Sequence, residues 1–132
     1  MKIVWTNGCF DVLHRGHIEM FKFAKSLGDQ LIVGLDTDEK VKAAKGEGRP
    51  FNVLEDRQYL VSSVRYVDKT VSFKSRKELE GLIENINPDI LVVGSDWEGK
   101  SIVGAEYAKE VVFFPRINGY STTKVLKNDN LR

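Results

Sequence analysis

The chain has 132 residues, the size of one compact domain, with 42% hydrophobic and 30% charged residues, as in ordinary globular proteins. Its formal net charge of +1 gives no overall attraction to nucleic acid or to a membrane surface. No apolar run is long enough to cross a bilayer, we expect no signal peptide, and the single cysteine, Cys9, excludes an internal disulfide. We therefore expect a cytoplasmic protein whose one domain covers residues 1–132.

Short β-rich runs alternate with longer helical runs along the chain. The pattern predicts strands at residues 2–6, 30–35, 70–73, 89–93 and 110–114. It predicts helices at residues 17–27, from 52 to about 65, from 75 to about 87, and a short last helix from 121. Residues 36–51 are predicted to form a long polar connection. Alternating strands and helices imply an α/β, Rossmann-like doubly wound domain with a mostly parallel five-stranded sheet.

Capping residues support these helix boundaries. Asn52 is followed three residues later by Glu55, and Ser75 by Glu78, which is the spacing of a capping box. Gly28 stands where a glycine ends the first helix. In sheets of this kind, ligands bind at the carboxyl ends of the strands. We therefore expect the chemistry in the loops that follow the strands.

The loop after the first strand carries the first chemically unusual segment. His14 and His17 lie three residues apart around Gly16, at a helix start whose free N–H groups and dipole favour an anion. Gly8 and Gly16 also permit close approach of a ligand to the backbone. Both imidazoles can donate hydrogen bonds to one phosphate group. Surface histidines, a helix cap or metal ligands are the alternatives.

A second segment, residues 116–124, follows the last predicted strand. Ser121, Thr122 and Thr123 bring three hydroxyl groups to a helix start, where they can bind phosphate oxygens together with the backbone. Arg116 can donate two parallel hydrogen bonds to a phosphate or to a base edge. Taken alone, this segment is explained equally well by a capped surface helix.

Together the two segments resemble a known family. The run His14-Arg15-Gly16-His17 resembles the H-x-G-H signature of the cytidylyltransferase-like nucleotidyltransferases, and residues 116–123 resemble their second signature, departing from it at variable places. The resemblance covers nearly the whole chain. It implies transfer of a nucleoside monophosphate to a phosphorylated small molecule with release of pyrophosphate. It also implies Mg²⁺ bound with the nucleoside triphosphate, and a homodimer.

The resemblance extends to individual site residues. It implies catalytic roles for His14, His17, Lys45, Arg116 and Ser121. It implies nucleotide contacts for Gly8, Cys9, Phe10, Asp11, Gly16, Asp96, Trp97, Gly119, Thr122 and Thr123. No residue is assigned directly to a metal, although Asp11 is expected close to the Mg²⁺.

The acceptor phosphate is expected to meet Lys42, Arg49, Arg57 and Arg65. Arg57 and Arg65 are eight residues apart and share one face of a predicted helix. Lysines in a loop are ordinarily a solvated surface, and that alternative stays open for Lys42. Arg65 can instead pair with Asp68.

Two branches of the family compete for the substrates. Residues 94–100 and Arg116 resemble the glycerol-3-phosphate cytidylyltransferases, whereas residues 6–11 and 45–50 resemble the adenylyltransferases of the ADP-heptose pathway. Asp96 and Arg116 can match the amine and the carbonyl of cytosine, so we expect CTP and glycerol 3-phosphate, giving CDP-glycerol. The alternative is adenylyl transfer to a sugar phosphate. The alternative of another class is a non-catalytic nucleotide-binding domain.

Overall fold

The computed structural model describes residues 1–115 of the chain. The second signature and the predicted last helix lie outside the described residues. The predicted site residues in that segment are Arg116, Gly119, Ser121, Thr122 and Thr123. Among the described residues, no helix is both long and apolar enough to cross a membrane.

Strands and helices alternate through the described part of the chain. The strands are β1 (Ile3–Gly8), β2 (Gln30–Asp36), β3 (Lys69–Phe73), β4 (Ile90–Gly94) and β5 (Glu110–Phe114). The helices are α1 (Arg15–Ser26), α2 (Asp38–Lys45), α3 (Leu54–Ser62) and α4 (Arg76–Ile86). Two single 3₁₀ turns, Ser95–Trp97 and Ala105–Tyr107, lie between β4 and β5.

The five strands form one sheet in the order β3-β2-β1-β4-β5, and every pair of neighbours is parallel. The order reverses between β1 and β4, which makes their carboxyl ends the topological switch point where ligands bind in such folds. Gly8 ends β1 and Gly94 ends β4 at this edge. The predicted Rossmann-like α/β fold with five strands is confirmed.

Alternation along the strands builds a core on each face of the sheet. On β1, Val4 packs with Phe21 of α1 and Val61 of α3, whereas the next residue, Trp5, packs with Ile83 of α4 on the opposite face. All five side chains are fully buried. Helices therefore cover both faces, as a doubly wound sheet requires.

One helix is absent from the sequence prediction, and both ends of α3 differ from it. The segment predicted as a polar connection contains α2. Only Val41 is buried on this helix, so its sequence shows no repeating pattern of apolar residues. Asn52 does not cap α3, because the helix begins after Val53 and the Asn52 side chain donates to the Asp11 carbonyl instead. The helix also ends at Ser62 rather than near residue 65. The Ser75 cap is confirmed, since its hydroxyl accepts from the Glu78 N–H at 3.1 Å.

Candidate functional site

The segment between β1 and α1 carries the first residues of the site. Gly8 has no side chain, and a Cβ there would lie 3.1 Å from the Phe10 ring, so the glycine allows the ring to pass beneath it. Phe10 is 6% exposed and packs against both Phe21 and His17. Because its ring is buried, Phe10 can offer a nucleotide only its backbone. Cys9 is half-buried beside it.

His14 and His17 cap the first turn of α1 reciprocally. The Gly16 N–H donates to Nδ1 of His14 at 3.1 Å, and the His14 N–H donates to Nδ1 of His17 at 3.3 Å. The two rings stack with centroids 3.9 Å apart. Since each Nδ1 accepts a hydrogen bond, each neutral ring carries its proton on Nε2. The cap therefore fixes both histidines as Nε2–H donors at the carboxyl edge of the sheet.

Burial keeps His17 uncharged. Burial, together with the neighbouring His14 and Lys45, lowers the pKa of His17 from 6.5 to about 3. The ring is therefore a neutral hydrogen-bond donor near pH 7 and not a cation. The neutral ring keeps one N–H, on Nε2, that can donate a hydrogen bond to a phosphate oxygen.

Lys45 supplies the positive charge at this site. It lies in the last turn of α2, and its charge acts on both His17 and Cys9. Burial raises the pKa of the Cys9 thiol, and the charges of Lys45 and Arg57 only partly oppose that effect. Cys9 thus stays a neutral thiol rather than a nucleophilic thiolate. The structure brings His17 together with His14 and Lys45, and the charge of Lys45 also reaches Cys9; the predicted roles of these residues in the reaction stay predictions.

Asp11 is an internal anchor. One carboxylate oxygen accepts from Nε of Arg49 at 2.8 Å and from the Phe51 N–H at 2.7 Å, and the other accepts from the Asn52 N–H at 2.8 Å. Burial alone would raise the pKa of Asp11, but these hydrogen bonds outweigh it and the pKa is lowered. Both carboxylate oxygens of Asp11 therefore accept hydrogen bonds from the protein. Neither oxygen is left free for the predicted contact with the nucleotide or its Mg²⁺. The residue instead fastens the chain before α3 to the loop after β1.

The prediction that Arg57 holds the acceptor is wrong. The residue is 0% exposed, and its guanidinium donates to the carbonyls of Asn52, Cys9 and Asp36 at 2.8 to 2.9 Å. Its Nη2 also lies 2.7 Å from a carboxylate oxygen of Asp38. Sequence reasoning missed Asp38, although an acidic first turn after Thr37 is a signal for a helix start.

Arg65 and Lys42 are both exposed. Arg65 lies beyond the end of α3, so it does not share a helix face with Arg57, and its guanidinium lies over the Tyr66 ring. It does not pair with Asp68, which instead binds Lys25 at 2.6 Å. The Lys42 ammonium lies 3.5 Å from the Glu47 carboxylate. The two residues therefore stay predictions as acceptor ligands.

Asp96 and Trp97 lie in the 3₁₀ turn that follows β4, at the same edge as the end of β1. Trp97 is 52% exposed, with the Lys100 ammonium 5.9 Å from its ring centroid. The indole is therefore not packed in the core, and its position suits contact with a flat ligand. The base-reading pair of Asp96 with Arg116 involves a residue outside the described part of the chain.

The predicted Mg²⁺ has no ready set of protein ligands among residues 1–115. No three His, Cys, Asp or Glu side chains in that range are grouped to hold an ion, and Asp11 is fully engaged. These residues do not fit a resident metal, so Mg²⁺ stays a prediction as a companion of the triphosphate.

Comparisons with known proteins agree with this geometry. The family model described as cytidylyltransferase-like matches residues 5–128. Proteins named "Bifunctional protein HldE" from Sulfurimonas denitrificans and Helicobacter hepaticus are each 48% identical, over 126 and 127 residues, or 96% of this chain. The aligned part is 26% of each relative, so the chain spans about a quarter of their length.

Two solved structures have the same fold. The lipopolysaccharide core biosynthesis protein from Thermoplasma volcanium aligns with a TM-score of 0.69 and 28% identity, covering 92% of this chain and 99% of that one. A pantothenate synthetase from Thermus thermophilus aligns with a TM-score of 0.63 and 13% identity, over 96% of this chain and 64% of the other. The second likeness concerns the fold alone.

Proposed function

Because the chain belongs to the cytidylyltransferase-like family of nucleotidyltransferases, we propose that it transfers a nucleoside monophosphate to a phosphorylated small molecule. The observation that carries this proposal is the stacked pair His14 and His17, whose reciprocal cap leaves both rings protonated on Nε2. Lys45 adds a positive charge beside the pair. Two imidazole N–H donors and one cation beside a helix start form a site for the phosphates of a nucleoside triphosphate.

In the proposed reaction, an oxygen of the acceptor phosphate attacks the α-phosphorus of the triphosphate. The new P–O bond forms as the bond to the bridging oxygen breaks, and pyrophosphate leaves with the electron pair. Negative charge is redistributed over the α-phosphate oxygens and the leaving group, so positioned donors stabilise the transition state. His14 and His17 donate to the α-phosphate, and Lys45 neutralises the leaving pyrophosphate. Cys9 needs no part in this reaction.

We propose further that the nucleotide is ATP and that the acceptor is a sugar phosphate of the ADP-heptose type. Relatives named HldE support this choice at 44 to 48% identity. The two segments that resemble the adenylyltransferases of that pathway are also joined in the structure, because Asp11 binds Arg49. The expectation of CTP and glycerol 3-phosphate has less support, since it depends chiefly on the pairing of Asp96 with Arg116.

The test is a pyrophosphate-release assay that crosses ATP, CTP, GTP and UTP with heptose 1-phosphate, other sugar 1-phosphates and glycerol 3-phosphate. We expect the fastest release with ATP and a sugar 1-phosphate, and no release when EDTA removes magnesium. Fastest release with CTP and glycerol 3-phosphate would instead restore the cytidylyltransferase branch. The His17→Ala variant is the control that assigns the released pyrophosphate to this site.

We also propose that the chain acts as a homodimer, as the family resemblance implies. Sedimentation equilibrium at micromolar concentration measures the mass directly. A single species of twice the 15.0 kDa chain mass is expected, and a single species of the chain mass would contradict the dimer.

A further inference from the structure

Phe10 has a backbone conformation that is uncommon for a bulky residue. Its φ angle is +50°, in the left-handed region, where side chains of this size are rarely found. Among the described residues, Asn87 is the other non-glycine with positive φ, and it ends α4 as asparagine often does. Phe10 lies in no such cap. Strain of this kind persists where the surroundings enforce it, and it concentrates at functional sites.

The Phe10 ring is held on three sides. It packs against the Phe21 ring with centroids 5.1 Å apart and meets the His17 ring nearly at a right angle, with centroids 5.4 Å apart. Gly8 leaves the space above it, since a Cβ at Gly8 would come within 3.1 Å of the ring. The ring is therefore a fixed wall against which the His17 imidazole lies.

His17 has two further constraints. Its ring stacks on His14 with centroids 3.9 Å apart, and its Nδ1 accepts from the His14 N–H. The hydrogen bond sets which nitrogen carries the proton, and the stacked ring limits rotation on one side. Phe10 restricts movement of the His17 ring on a side that neither the stacked His14 ring nor the hydrogen bond restricts.

We propose that Phe10 is a positioning residue for the transfer reaction: its ring holds the His17 imidazole so that Nε2–H is directed at the transferred phosphate. The inference rests on the proposed function of the site. Phe10 does not touch substrate through its ring, which is buried, and it acts through His17 alone. Loss of the ring would let the imidazole tilt and would admit water to it.

The charged and titratable groups that act on His17 are His14 beside it and Lys45 from α2. Neither group is altered by a substitution at Phe10. Burial is the largest of the effects that lower the pKa of His17 to about 3. A variant that hydrates the ring is therefore expected to raise this pKa toward the ordinary value of 6.5.

The test compares Phe10→Leu with Phe73→Leu, the same replacement at a fully buried position in the core on the opposite face of the sheet. The chain has two histidines, so imidazole NMR signals can be assigned with His14→Ala and His17→Ala and followed with pH. We expect Phe10→Leu to raise the His17 pKa by about one unit or more. We expect it to lower kcat by ~10- to 100-fold, as misplaced catalytic groups do, with KM for the nucleotide little changed. Phe73→Leu should also lower the melting temperature but leave both readouts near wild type, because Phe73 packs in the other core.

Two outcomes would overturn the inference. One is a His17 titration in Phe10→Leu that matches wild type, and the other is an equal pKa shift and kcat loss in Phe73→Leu. If Phe10→Leu does not fold, Phe10→Met serves instead, because it keeps an apolar side chain but removes the flat ring against which the His17 imidazole lies. An unchanged titration there also overturns the inference. Since NMR needs no turnover, failure of wild-type protein to release pyrophosphate would count against the proposed function only.

Discussion

His17 and Arg57 are both nitrogen-bearing side chains beside the loop that follows β1, and they differ in where their hydrogen bonds go. Arg57 is fully buried and donates to three backbone carbonyls and to Asp38. Nδ1 of His17 accepts a hydrogen bond from the His14 N–H at the start of its own helix, so the ring proton is on Nε2. The first residue holds segments of the chain together, whereas the second keeps a donor for a ligand.

The residues around this loop form two regions, one that holds the chain together and one that keeps hydrogen-bond donors for a ligand. The holding region consists of Asp11 and Arg57, which fasten the ends of β1 and β2 and the chain before α3 to one another. The donor region consists of His14, His17 and Lys45. Substitutions in the holding region should therefore cost stability, and substitutions in the donor region should cost turnover.

The largest expected effect is at Arg57. Arg57→Met keeps the volume but leaves Asp38 and three carbonyls without their donor, so we expect a loss of about 3–5 kcal/mol in the free energy of unfolding. Urea denaturation followed by circular dichroism measures it. Arg65→Met is the matched control, because Arg65 is exposed and should change stability by less than about 0.5 kcal/mol. Equal losses of stability in the two variants would contradict the structural role of Arg57.

The next effect is on turnover. His17→Ala removes a donor that binds the transition state, so kcat should fall by at least ~10²-fold while the protein stays folded. Steady-state pyrophosphate release measures kcat, and circular dichroism confirms the fold. Turnover within a few-fold of wild type would show that His17 belongs to the holding region.

The pH dependence of stability separates the two regions further. His17 has a folded pKa of about 3 against 6.5 when free, so the unfolded chain binds a proton between these values that the folded chain does not. The free energy of unfolding should therefore decrease as the pH falls from 7 to 4. Asp11 has a lowered pKa, so its contribution is lost only below its ordinary value of 3.8. Urea titrations at pH 7, 6, 5 and 4 should show a shallower decrease in His17→Asn, and equal slopes would contradict the neutral buried ring.

The sequence was sufficient for the sheet and for the histidine pair. Short β-rich runs and the H-x-G-H segment are local patterns, and they predict the five strands and two histidines at a helix start. The helix α2 could not be found by periodicity, because Val41 alone is buried on it.

The prediction that Arg57 binds the acceptor was wrong for a different reason. Its spacing from Arg65 indicates a shared helix face only if the helix reaches Arg65, and α3 ends at Ser62. Whether an arginine points to solvent or into carbonyl groups depends on contacts with Cys9 and Asp36, which are 48 and 21 residues away in the chain. No local pattern carries that information.

The smallest expected effect is at Lys42, which shares α2 with Lys45. The Lys42 ammonium pairs with Glu47, and both side chains are exposed, so the pair is screened by solvent and contributes little. Lys42→Ala should therefore leave the fold intact and kcat within ~threefold of wild type, so that any larger change lies in the KM for the acceptor. Lys45→Ala is the comparison, because its charge acts on His17 and its loss should lower kcat by ~10-fold or more. Both variants are measured in the same pyrophosphate-release assay, with the acceptor varied. A tenfold higher KM for the acceptor in Lys42→Ala alone would extend the donor region along α2 and assign Lys42 to the acceptor phosphate.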